Sequence, residues 1–179
     1  MRSLVVVALL SALAAAPAGG SAQAHGTTAF CNGTQLTGRF AAVPGSAGAG
    51  NIVYALTLRN RSQRTCAVTG LPRVRLVGLH GRLLPTHVVA AAPNQLTAAL
   101  IVLAPGASAR ATARFSPDVP GPGEGKPGAC EPKAYRLSVA PRGGGATVMS
   151  IAPPTSVCEH GQLQFSAYAA ARSVSRQAA

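Results

Sequence analysis

The chain contains no tryptophan, and its only acidic residues are Asp118, Glu124, Glu131 and Glu159. Each shortage excludes something. With so few carboxylates, a general acid–base pair has to be drawn from those four. Glu131 and Glu159 each follow a cysteine, so a Cys130–Cys158 bond would bring them near one another; the plainer reading is two solvated loop acids. Aromatics are scarce as well, with four Phe and three Tyr. Tyr54, Tyr135, Tyr168 and the phenylalanines read mostly as core, not as stacking platforms between cations, so no nucleic-acid partner is expected. A G-x-S-x-G elbow is missing, as are Walker-type and dinucleotide glycine motifs. No C-x-x-C or C-x-x-H spacing marks a metal site. The expectation is a chain that is not an enzyme and carries no cofactor.

What is present starts with Arg2, followed by an uncharged run from Leu4 to Ala16 and a small-residue stretch ending in Ala22-Gln23-Ala24. A positive head, a short apolar core and an A-x-A site predict a secretory signal peptide over residues 1–24. The core is shorter than the roughly 20 residues of a membrane span. Cleavage after Ala24 leaves His25 as the new N-terminus, with no transmembrane segment. No cysteine sits at that site, so a lipid-anchored form is not indicated. Residues 25–170 then fit a single domain, likewise expected to be a monomer, and 171–179 a disordered basic tail. The expected location is extracellular or the cell envelope.

Cys31, Cys66, Cys130 and Cys158 all lie in the exported part, and an even number outside the cytoplasm points to two disulfides. Four cysteines permit three pairings, and spacing alone does not choose among them. Cys31 with Cys66 and Cys130 with Cys158 is favoured because each pair brackets a contiguous part of the chain.

Sixteen Lys and Arg face those four acids. A net positive surface attracts polyanions. Arg in preference to Lys, with abundant Ala and Gly, is also what a GC-rich genome writes. Arg59, Arg61, Arg64, Arg73 and Arg75 cluster in sequence and form a candidate basic face, for which anionic envelope polymers or lipids are the natural partners outside a cell.

Ile52, Tyr54, Leu56 and Leu58 alternate with Val53, Ala55, Thr57 and Arg59, a period of two that defines the best strand. Asn60 to Arg64 supplies a turn, and Thr65 to Thr69 a second strand. Further strands are expected at Leu36–Val43, around Val74 and Leu76, at Leu83–Val89 as an edge strand interrupted by Pro85, at Ala109–Phe115, Tyr135–Val139, Val148–Ile151 and Leu163–Ala167, while Ala99–Leu103 is a short apolar run. Pro117 to Pro132 is the longest irregular connection, and no amphipathic helix of useful length appears. The expectation is an all-β sandwich of about eight to nine short strands.

These residues carry a resemblance. An early Cys31, then Leu56, Leu58, Asn60, Ser62, Thr65, Cys66, Gly70, Pro72, Val74 and Leu76, then Gly81, Val102 to Ala109, Cys130 and Cys158 make a pattern similar to the secreted actinobacterial domain of unknown function 4232. The resemblance implies an immunoglobulin-like β-sandwich exported to the envelope or medium, with cysteines paired in sequence order and no activity attached. Leu71 departs from it, standing where an aromatic is common before the proline, and the lipobox of many members is missing.

One alternative comes from a different class. At a mature N-terminus, the imidazole and α-amino group of His25 could chelate copper, with His80, His87 or His160 as a second ligand, giving a copper-binding or redox protein. An N-terminal His followed by Gly looks like the start of secreted lytic polysaccharide monooxygenases and of some periplasmic copper carriers.

Overall fold

The computed structural model describes residues 27–95, 99–125 and 130–171. The expected signal peptide at residues 1–24, His25 and the tail beyond Ala171 lie outside the described residues. Among the described residues there are eleven strands: β1 (Leu36–Ala42), β2 (Ile52–Asn60), β3 (Cys66–Thr69), β4 (Val74–Val77), β5 (His87–Ala90), β6 (Leu100–Leu103), β7 (Ser108–Phe115), β8 (Ala134–Val139), β9 (Thr147–Thr155), β10 (Gln162–Phe165) and β11 (Ala169–Ala170). The count exceeds the expected eight to nine, partly because two-residue β11 is too short to leave a period in sequence. Among the described residues the helical pieces are three-residue 3-10 turns and the four-residue turn Cys158–Gly161.

The strands run in the order β4-β8-β9-β1-β2-β7-β10-β5, with β11 also on β7, and β3 and β6 form a separate pair. Strand β9 serves two neighbours. Its first half lies antiparallel to β8, and Ile151 and Ala152 then pair in parallel with Phe40 and Ala41 of β1. Burial alternates on both sides of that junction. Along β2, Tyr54, Leu56 and Leu58 are buried and Arg59 is exposed; along β8 and β9, Leu137, Val139, Met149 and Ile151 are buried and Arg136, Val148 and Ser150 are exposed. Each group of strands thus turns one face inward, and both faces feed one core.

That core is built economically. On β7, Ala109, Ala111 and Ala113 are buried, so bulk comes from Leu and aromatic residues of neighbouring strands. Phe40 packs on Tyr54 with ring centroids 5.1 Å apart, and Tyr54 on Phe115 at 5.2 Å. The buried Tyr54 keeps a partner for its hydroxyl, which donates to the Pro153 carbonyl at 2.9 Å. Two disulfides close the fold, Cys31–Cys66 and Cys130–Cys158.

Two local outcomes differ from the sequence expectation. The edge strand expected from Leu83 begins only at His87. Residues 82–86 instead cover the edge of β4: the Leu84 N–H donates to the Leu76 carbonyl, the Leu76 N–H to Thr86 Oγ1, and the Gly78 N–H to the Arg82 carbonyl. Pro85, without an N–H, stands where none is required. The second difference is Asn60, expected as the start of an exposed turn. It is the last residue of β2 and fully buried.

Candidate functional site

The Asn60 side chain organises the turn that follows it. Its Nδ2 donates to the carbonyls of Arg64 (2.7 Å) and Leu103 (2.9 Å), while Oδ1 accepts from the Ser62 N–H (3.0 Å) and hydroxyl (2.7 Å). Its N–H donates to the Ala107 carbonyl, and its own carbonyl accepts from Gly106 N–H. One amide thereby ties the end of β2, the turn into β3 and the β6–β7 corner, with every polar atom satisfied.

The five arginines grouped by sequence do not share one face. Arg59 lies exposed on β2, with Nε donating to the Gly106 carbonyl at 3.0 Å. Arg61 and Arg64 are exposed in the following turn, where Arg61 Nε donates to the Thr34 carbonyl at 3.0 Å. Arg73 precedes β4 and Arg75 lies on it, at one end of the strand order and separated from β2 by β8, β9 and β1. What β2 brings to Arg59 are arginines from its own neighbours. Register pairs Arg39 of β1 with Thr57, and Thr57 with Arg110 of β7, while Arg114 lies opposite Val53. Arg39, Arg110 and Arg114 are all exposed. The period of two along Ala109–Phe115 puts Arg110 and Arg114 on one face, but the neighbour relation needs the register. Among the described residues the one ion pair is His160 with Glu124, so none of these guanidinium groups is neutralised by a carboxylate.

The acids gather elsewhere. Glu124 is 2 % exposed at its side chain and receives three backbone N–H groups: Gly121 (2.6 Å) and Glu159 (2.7 Å) on Oε2, and His160 on Oε1. The Glu159 and His160 donors converge because Glu159, His160 and Gly161 adopt φ of 56°, 56° and 79° in succession, and Gly121 donates from within Glu124's own loop. A left-handed turn of this kind aims successive N–H groups into one concavity and favours an anion there. For non-glycine residues it costs about 1–2 kcal/mol each. At Gly161 only hydrogen fits, since a Cβ would collide with the Pro85 carbonyl. Glu159 turns away to accept from Gln162 Nε2 at 2.7 Å.

Glu124, Glu131 and His160 place three ligand-type atoms within 4.8 Å of one another. Both Glu124 oxygens are already engaged by N–H groups, so the arrangement acts as a clamp of the long connection onto the C-terminal turn. Of the other histidines, His80 is exposed with φ of 57° and His87 is exposed at the start of β5; neither joins such a group among the described residues.

Burial pushes the Glu124 carboxyl up, but the N–H groups of His160, Gly121 and Glu159 and the charge of His160 outweigh it and hold the carboxyl below its ordinary value of 4.5. A carboxyl depressed in the folded state contributes stability that is present above its unfolded value and lost as pH falls through the folded one. Protection of the Glu159 and His160 amides against exchange, taken relative to the intrinsic rate at each pH, is therefore expected to fall on acidification below pH 4.5, more than at the Leu56 amide. Glu124→Gln should show fast exchange already at neutral pH. Exchange unchanged by both would remove the clamp.

The family described as Domain of unknown function (DUF4232) matches residues 31–169. No curated protein and no solved structure matches the chain.

Proposed function

The chain belongs to the DUF4232 family, and from that premise we propose that it is an exported, non-catalytic β-sandwich that binds anionic material of the cell envelope or medium. The observation that carries this reading is the set of exposed arginines on and around β2, which have no carboxylate partner among the described residues. Cations left unpaired on a chain of formal net charge +12 form an extended positive field.

Export is supported by the A-x-A segment at residues 22–24 and by two disulfides, which persist in oxidising compartments. No helix among the described residues is long and apolar enough to cross a membrane. The non-catalytic reading is supported by the fate of the acids. Glu124 is engaged as a clamp and Glu159 is bound to Gln162, so neither is presented as a free acid or base.

Adsorption to anionic envelope fractions tests the proposal. Binding is expected at low salt and should fall steeply as ionic strength rises past about 0.1 M, where the screening length drops to ~10 Å. Adsorption indifferent to salt, or equal on neutral material, overturns it.

A further inference from the structure

The outward face of β1, β2 and β7 has an ordered charge pattern. Thr37, Arg59 and Ser108 form one row across the three strands, Arg39, Thr57 and Arg110 the next, Ala41, Ala55 and Thr112 a third, and Val53 with Arg114 part of a fourth. Rows recur about 7 Å apart along the strands, and neighbouring strands lie about 5 Å apart. Arg39 and Arg110 therefore rise on either side of Thr57 with Cα atoms about 10 Å apart, and Arg114 repeats the charge about 14 Å further on.

Between Arg39 and Arg110 lies a groove of about 280 Å³ whose floor is Ala41, Ala55 and Thr57. Beyond Arg110 a second hollow of about 380 Å³ continues over Thr112 and Ser166 toward Ala169. Arg110 is the ridge shared by both. Small residues make up most of the lining, with Val43 and Pro44 at one side of the first groove, and all of the charge is in the arginines.

We infer that this face is a track for a linear phosphodiester chain, phosphates strung on small polyols, seated between Arg39 and Arg110. Guanidinium forks match phosphate oxygens in bidentate geometry, and a polymer with recurring charges meets successive arginines along the strands. Three features decide against other polyanions. None of the large exposed apolar residues, such as Leu79, Leu83 or Val102, lies on β1, β2 or β7, so the face has nothing to insert into a lipid layer. No aromatic lines either hollow, so bases and sugar rings find no stacking surface. The hydroxyls of Thr57 and Thr112 supply polar contacts that a charge-only surface would not need.

This inference rests on the anionic-partner reading and narrows it, and the two fail separately. Fluorescein-labelled poly(glycerol phosphate) is titrated into the protein and into two charge-matched variants, Arg39→Gln/Arg110→Gln and Lys133→Gln/Arg136→Gln. All four side chains are exposed, so both variants should melt like the parent. The β1/β7 variant is expected to bind at least ~10-fold more weakly at 0.1 M salt, with the slope of log K against log salt reduced by about 2, one per lost phosphate contact. The control should lose less than ~3-fold. Equal losses in both variants overturn the track and leave only net charge. Binding confined to phosphatidylglycerol vesicles also overturns the track while sparing the anionic-partner reading, and absence of binding to either overturns both.

Discussion

Asn60→Ala is expected to rank among the most damaging single substitutions in the chain, and Asn60→Asp to be worse at neutral pH. Alanine removes four side-chain hydrogen bonds and leaves the Leu103 carbonyl without its Nδ2 donor in a fully buried position. Stranding buried polar groups costs about 1–3 kcal/mol each, so a loss of ~3–5 kcal/mol is expected in urea denaturation, against a total of about 5–15 kcal/mol for a typical domain. Aspartate instead aims a carboxylate at the Arg64 and Leu103 carbonyls, so its pKa is raised in the folded state. Such a raised carboxyl destabilises above the unfolded value near 3.9 and ceases to do so below it. The Asp variant should therefore recover toward acid pH, and the Ala variant should not. Equal behaviour at all pH, or a loss under ~1 kcal/mol, would mean that Asn60 is no hub.

The second large effect concerns Cys31–Cys66. Replacing both with serine releases a loop with a sequence separation of 35. In the chain-entropy account a loop of that size corresponds to ~4 kcal/mol. Both cysteines are at most 1 % exposed, so the serine hydroxyls would also need partners in an apolar setting. The expected outcome is a fall in the melting midpoint by tens of degrees, or failure to fold at 37 °C. The replacement of both by Ala should be milder than by Ser. A melting curve like the parent's in both variants would show the staple to be dispensable.

Asn60 and the arginines show where legibility in the sequence stopped. The alternation in β2 and in β7 was visible because a half-buried strand writes its period locally, as Tyr54, Leu56 and Leu58 do opposite Arg59. The burial of Asn60 was not, because a polar residue followed by Arg61 and Ser62 has the composition of an exposed turn. Its defining partner, the Leu103 carbonyl, lies 43 residues away. For the candidate face, proximity in sequence put Arg73 and Arg75 beside Arg59, whereas β4 sits at one end of the sheet order and β2 in its interior. Arg39 and Arg110 became neighbours of Thr57 only through strand register, which no local pattern encodes. Glu131 and Glu159 read from the sequence as two solvated loop acids beside the second disulfide. Glu124 joins that corner with Glu131, because the left-handed backbone at Glu159 and His160 offers N–H groups to a carboxylate that can reach them.

Strands β1 and β2 lie wholly between Cys31 and Cys66. When the chain is pulled from its N-terminal side, tension reaching Cys31 crosses the sulfur–sulfur bond and leaves at Cys66, and the residues in between carry none of it. Arg39, Thr57 and Arg59 sit in that unloaded segment. Under such a load this part of the proposed face keeps its shape, and the first elements to yield lie beyond Cys66.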